Sequence, residues 1–508
     1  MSFNKKAHLR ANIDAIRTVL LLDKEQRPAT DADKVLLSGY TGFGGLKCVL
    51  NPANSLADTA HWTKSELELF PLVAELHQVI QENTPNEKAY KQYFDSIRNS
   101  VLTAFYTPPE VVQAIADSIN DSGITINRFL DPSAGMGEFS NSFSKDIIEK
   151  TCFEKDLLTG KILSHLSPDD RIHIEGFETI ESRHNNYFDV VSSNIPFGEM
   201  SVFDAAFMKE DQLHRDSTRA IHNYFFVKGI ESLREGGVMA FITSQGVMNS
   251  PNNEAIRNWL MHNSNLVSVI RLPNNLFTDY AGTEVGSDLI VLQKNTAKDK
   301  PLNFWEESFI TSSLNRETET YNNDYFYNLG RVVQTKATIG TDPYGKPAQV
   351  YIHEGGVDGI AEYMGQMLKS DLKANLNIDL YNNHSLDIKQ KSPSLSPHRG
   401  ESASSQVQID QQPPATVRVE EITPSVGGGQ GVVPIMSLYD LFGFSQEERT
   451  QVKPRRNTRK QSTSKPITQP SLFTKTKEEK KVVATEEAPK PSMELRPYSG
   501  ELYNIIEK

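Results

Sequence analysis

The sequence predicts an α/β protein in which a mainly parallel sheet flanked by helices follows a helical region and precedes a long unstructured tail. Three observations carry that prediction. From about residue 101 to 296, short β-branched and aromatic runs alternate with helix-like segments, an order that sets strands side by side and puts the connecting helices on the two faces. Before them, apolar residues recur at helical spacing. After about residue 385, Ser, Gln, Pro, Lys and Glu dominate, and such a composition cannot bury enough apolar surface to offset the entropy of ordering.

The chain has 508 residues and is 38% hydrophobic, enough for a sizeable core and for two to four domains. Its longest apolar runs fall well short of the roughly 18 residues a membrane span needs. Two cysteines, Cys48 and Cys152, exclude a disulfide framework or a four-thiolate zinc site, and the expected compartment is a reducing cytoplasm, with both thiols buried or inert. A net charge of -12 argues against a surface that coats nucleic acid throughout, but a local basic cleft on an acidic protein can still grip it.

The first region, residues 1–100, reads as helical. Leu9, Ile13, Ile16 and Leu20 mark one amphipathic helix, and Leu67, Leu69, Phe70, Leu72, Val73, Leu76 and Val79 supply an apolar stripe within Lys64 to Asn83. "GYTGFGGLK" lies between helices. Gly42, Gly44 and Gly45 could cradle a phosphate, but no strand precedes them, so a tight interhelical turn is expected.

In the second region, residues 101–296, the expected strands are "INRFLD", "TCFE", "IHIEGF", "YFDVVSS", "GGVMAFITS", "LVSVIRL" and "SDLIVLQK". Residues 297–384 read as a small α+β appendix with a turn at "DPYGKP", a strand "AQVYIH" and a helix around "GIAEYMGQMLKSDL". In the tail, residues 385–508, Lys453, Arg455, Arg456, Arg459, Lys460 and Lys465 read as a solvated linker with some capacity to grip phosphates. "SLYDLFGF" and "SGELYNIIEK" are candidate docking peptides.

Parallel sheets place ligands at the carboxyl ends of their strands; three motifs fall there, and a fourth lies just upstream of the first strand. "FLDPSAGMGEF" ends a strand at Asp131 and brings Gly135 and Gly137, which let backbone approach a ligand where a side chain would collide. "TCFEKD" ends the next strand at Glu154, where nucleotide-binding sheets keep a carboxylate for two ribose hydroxyls. In "TAFYTPPEVV", Tyr106 and Thr107 form an extended piece before a helix opened by proline. "DVVSSNIPFGE" ends a β-branched run at Asn194, followed by Ile195, Pro196 and Phe197.

Together these pieces resemble the N6-adenine DNA methyltransferases, especially the modification subunits of type I restriction systems and the related methylase modules of bacterial mobile elements. The likeness covers roughly Leu102 to Lys294, through "FYTPPEVV", "FLDPSAGMGEF", "SSNIPFGE" and "GTEVGSDLIVLQK" in the family's order. It implies a Rossmann-like methyltransferase sheet whose cofactor is S-adenosylmethionine, held by Tyr106, Thr107, Asp131, Gly135, Gly137 and Glu154. Glu178 would stand at the end of the third strand, where the family usually has Asp. Asn194, Ile195, Pro196 and Phe197 would form the catalytic loop, close to the Asn-Pro-Pro-aromatic signature but with Ile195 in place of the first proline. The implied partners are DNA with a flipped adenine and a specificity subunit or a helicase or restriction partner, with no membrane and no metal.

By the same resemblance, the Asn194 side-chain oxygen and the Ile195 carbonyl would grip the two hydrogens of the adenine amine, directing its lone pair at the sulfonium methyl. A backbone carbonyl survives a change of side chain, and Ile195 precedes Pro196, which favours an extended conformation. The expectation is a changed rate with the chemistry retained. Phe197 would stack on the flipped base, or pack in the core. Two alternatives stay open: a similar enzyme acting on RNA or a protein glutamine, and a subunit that binds cofactor or DNA without turnover.

Overall fold

The computed structural model describes residues 4–384, apart from residues 45, 52, 54, 61, 104–105, 144–145, 199, 279–283, 299–300, 317–318 and 342–346. Gly45, Phe105, the "GT" of "GTEVGSDLIVLQK", the interior of the "DPYGKP" turn, the tail's basic residues and both candidate docking peptides lie outside the described residues. No described helix is long and apolar enough to cross a membrane.

Seven strands form the central sheet: β1 (Arg128–Asp131), β2 (Glu149–Phe153), β3 (Arg171–His173), β4 (Phe188–Asn194), β5 (Leu233–Ser244), β6 (Ser264–Leu272) and β7 (Ser287–Lys294). Their spatial order is β3-β2-β1-β4-β5-β7-β6. Pairings from β3 to β5 are parallel, while β7 runs antiparallel between β5 and β6. All seven coincide with the apolar runs read from the sequence. The long runs at β5 and β7 are apolar because both faces are covered. Val238, Ala240 and Ile242 of β5, with Leu289 and Val291 of β7, enter one cluster, whereas Met239, Phe241, Ile290 and Leu292 enter the other.

Helices close both faces. On the first, Val111, Ile115 and Ile119 of the helix Pro109–Asn120 share a core with Ile360, Met364, Leu368 and Leu372 of the helix Gly356–Asn375. On the second, Tyr224, Phe226, Val227 and Ile230 of Ile221–Ser232 pack with Leu260 and Met261 of Glu254–Asn263. Two hairpins follow the sheet, β8 (Ser312–Asn315) with β9 (Thr320–Asn323) and β10 (Lys336–Thr341) with β11 (Pro347–Ile352).

The N-terminal helices Lys5–Glu25, Phe70–Asn83 and Glu87–Thr103 form a third core around Leu9, Ile13, Ile16, Val73, Leu76 and Ile97, which also takes in Leu158 and Ile162 from the sheet's own helix Leu157–Leu166. The Gly42 carbonyl accepts from His8 at 2.7 Å and from the Asn12 amide, so the glycine segment is bound to a helix as an interhelical turn. Both cysteines are buried. Burial pushes the Cys48 thiol up to about 11 and the Cys152 thiol well above its ordinary value, which leaves both unreactive.

Candidate functional site

A cleft of about 1540 Å³ opens at the carboxyl ends of β1, β2, β4 and β5. It is lined by Tyr106, Thr107, Gly135, Glu154, Glu178, Asn194, Ile195, Pro196 and Phe197, so most of the residues singled out by sequence share one wall or another of a single cavity.

The turn after β1 is built on two left-handed glycines. Gly135 has φ +55°, and a Cβ there would meet the Tyr106 ring at 3.1 Å; Gly137 has φ +85°, and a Cβ would meet Leu163 at 2.7 Å. Asp131 is fully buried, accepting from the Ser193 hydroxyl at 2.7 Å and the Ser133 amide at 3.1 Å. Its second oxygen, like the Thr107 hydroxyl, is buried with no hydrogen-bond partner among the described residues. Beyond β2, the Glu154 carboxylate accepts from the amides of Gly135 at 2.8 Å and Asp156 at 2.7 Å, tying the two loops together.

Sequence reading missed Glu138 and Asp156, which add two more carboxyls to the same end of the cleft. Burial raises Asp156 above its ordinary range and lifts Asp131 and Glu138 to about 7, while burial and the charge of Asp156 lift Glu154 to about 8. Three cleft carboxyls driven upward, with Asp131 buried behind them, suit a ligand that brings positive charge and hydroxyl donors. S-adenosylmethionine carries a sulfonium, an α-ammonium and two ribose hydroxyls, so the residues present fit it.

Glu178 lies beyond the end of β3, which stops at His173, in the single turn Phe177–Thr179. Its carboxylate is paired with Lys155 at 2.8 Å. It borders the cleft, but from a loop instead of a strand end.

The catalytic-loop candidates follow β4. Ile195 is only 1% exposed, its side chain packed in the cluster that holds Val191 and Phe225. Its N–H donates to the Ile242 carbonyl at 3.0 Å, which extends the β4–β5 ladder by one bond that proline could not make. Phe197 packs edge-on to Phe277 at 6.3 Å and also lines the cleft, so core packing and access to a ligand coexist there.

Behind the loop stands a residue with no sequence signal beyond being a histidine on an apolar helix. His222 donates from Nδ1 to the Gly198 carbonyl at 3.0 Å, and its Nε2 faces the Asn253 amide at 3.4 Å. Burial pushes its imidazole down to about 4, so it stays neutral and keeps that donor in place. Asn253 is in turn held by Asn223 at 2.8 Å and the Gly246 carbonyl at 3.0 Å.

A seven-stranded sheet with one antiparallel strand inserted next to its edge, and a glycine turn and acidic strand end at its carboxyl side, defines the S-adenosylmethionine-dependent methyltransferase class. Residues 91–349 match the sequence profile of the N-6 DNA methylases, and the chain belongs to that family.

Among individual relatives, the chain is 26% identical over 208 residues to the defense against restriction protein B of Escherichia phage P1, a match covering 39% of this chain and 8% of that protein. It is 24% identical over 259 residues to the methylase subunit of the type I restriction enzyme EcoEI of Escherichia coli, covering 45% of this chain and 51% of the relative. The matches thus span about half of one curated relative and under a tenth of the other. Among solved structures, the type IIG restriction endonuclease BpuSI aligns with a TM-score of 0.34 and 17% identity over 58% of this chain and 38% of that one.

Proposed function

We propose that the protein transfers a methyl group from S-adenosylmethionine to the N6 amine of adenine in DNA, with Asn194 and Ile195 gripping the amine. The observation that carries this reading is the shared cleft, in which the loop after β4 opens into the same cavity as Gly135 and Glu154. Bound there, S-adenosylmethionine would supply an electrophilic methyl carbon: its bond to nitrogen replaces the one to sulfur, the bonding pair stays on sulfur as a thioether, and the amine releases one proton to water. Glu154 accepts the ribose hydroxyls, and Asp131 and Thr107 offer buried oxygens to donors of the cofactor. Gly135 and Gly137 let the backbone come close to it. The Asn194 side chain and the Ile195 carbonyl accept the two amine hydrogens, which localises the nitrogen lone pair, and Phe197 provides a face for the extruded base. His222 keeps the loop backbone fixed through Gly198 during this positioning.

Recognition of the DNA sequence is assigned to a specificity subunit or another restriction-system partner acting with the segments around the cleft. The test is single-molecule sequencing of DNA from a methylation-deficient bacterium expressing the full chain or its Asn194→Ala variant. N6-methyladenine at a defined sequence with the native chain, absent with the variant, is expected. Unmarked DNA from cells in which the protein is soluble, binds the cofactor and methylates RNA or a protein glutamine would overturn the assignment.

A further inference from the structure

We propose that Phe203 is a wedge that enters the DNA duplex as the target adenine is extruded, an inference that rests on the reading of the protein as a DNA adenine methyltransferase. Phe203 lines the cleft that holds Asn194, yet it is 76% exposed. Single apolar side chains at a surface are ordinary. What distinguishes this one is how firmly its neighbours are held.

On one side, the Val202 amide donates to the Thr218 carbonyl at 2.8 Å, and its side chain packs against the second face's core. On the other, Asp204 is 4% exposed and accepts from the Ala206 amide at 2.8 Å, the Tyr224 hydroxyl at 2.8 Å and the Lys228 ammonium at 3.3 Å. A buried ion pair and a buried phenol thus fix the backbone beside a phenyl ring held out in water. These contacts hold the backbone that carries Phe203, so its Cα stays at the rim of the cleft while the ring is left free to enter a partner.

An adenine reached by the catalytic loop must leave the stack, and its departure leaves a gap between base steps. Apolar side chains inserted at such steps fill the gap and unstack the duplex. A phenyl ring preset at the rim of the cleft, downstream of Phe197 on the same loop, suits that task. Phe197 faces the extruded base and Phe203 faces the hole it leaves.

The experiment compares kcat/KM of the full-length wild type, Phe203→Ala and Phe203→Trp on two duplexes carrying the sequence found methylated in the genomic assay. One duplex is fully paired; the other has a mismatch opposite the target adenine, which is already partly unstacked. Phe203→Ala is expected to lose about 30- to 100-fold on the paired duplex, in line with the unstacking cost of a base, and threefold or less on the mismatched one. Phe203→Trp is expected to retain activity on both. The fluorescence rise of 2-aminopurine at the target position is expected to accompany binding of wild type and to be lost in Phe203→Ala. An equal loss on both duplexes, or no loss on either, would overturn the wedge while leaving the methyltransferase reading intact. Wild type that methylates neither duplex would overturn both.

Discussion

At Ile195 the side chain and the backbone do different work. The side chain is core, and the amide adds a ladder bond to Ile242. The rigidity that a proline ring would give the loop is supplied here by that hydrogen bond and by burial. Ile195→Val is expected to cost about 1 kcal/mol of stability with the transfer rate within twofold of wild type. Ile195→Pro is expected to cost about 2–4 kcal/mol, because it removes both the bond and apolar volume. Thermal unfolding and a methyl-transfer assay on the two variants check this pair. A Pro variant as stable as wild type would show that the ladder bond contributes nothing. The substitution itself was legible in the sequence, as was the survival of the carbonyl. The compensation was not, because it depends on a strand more than forty residues away in the chain, and no local pattern marks it.

Between the loop after β4 and the helix Ile221–Ser232, a short element is held by one imidazole. His214 bridges Asp211 and Glu231 at 2.7 Å on each side, and the hydrogen bond to Glu231, followed by that to Asp211, raises it to about 9. A histidine raised in this way contributes stability that is complete below its ordinary value of about 6.5 and is lost as pH climbs through about 9. His214→Gln is expected to lower stability by on the order of 2 kcal/mol at pH 6, discounted for partial solvent screening, with the difference from wild type closing above pH 9. Thermal unfolding scans at three pH values read it. The longer strands β4 to β7 were legible because each is a run of apolar and β-branched residues bounded by polar or turn residues. Glu178 was misplaced relative to its strand because β3 is short and half-exposed, and its sequence, "IHIEGF", continues to look extended after the pairing has ended.

For the molecule as a whole, the cofactor end of the cleft is also where the N-terminal helices meet the sheet. The Ser96 hydroxyl donates to Asp156 at 2.5 Å and accepts from the Leu158 amide at 3.1 Å, and the Phe43 amide donates to Ser100 at 3.0 Å. Buried acids at that junction carry a stability cost when ionised. Because Glu154 lies near 8 in the fold against an ordinary value of about 4.5, the ligand-free protein is expected to lose stability as pH rises between those values. S-adenosylmethionine, by engaging the ionised carboxyl, is expected to bind more tightly as pH rises toward 8 and to level off above it. Glu154→Gln is expected to weaken binding about 10- to 100-fold and to flatten the dependence. Calorimetric titration from pH 6 to 9 decides this, and a variant that keeps the native slope would assign it to Asp131 or Glu138. The glycine turn and Glu154 could be found by spacing. Glu138, Asp156 and His222 could not, because an acid or a histidine in a helix or a loop has no signature until the fold buries it.

The placement of β7 has a consequence in time. Ribosomes deliver this chain from its first residue onward, and β4 with Asn194 emerges well before its surroundings exist. β6 gains its ladder partner only when β7 arrives, and Gly236 in β5 lies against the backbone of Leu380, so close that a Cβ there would fall 2.5 Å from its carbonyl oxygen. Gln293 likewise bonds the carbonyls of Gly236 and Asn377. During the tens of seconds that separate β4 from the helix Ile378–Asn383 in synthesis, the nascent sheet has an open edge and a bare apolar face. A chain stopped anywhere in that interval is expected to lack the core that the helix Ile378–Asn383 completes against Gly236 and Gln293.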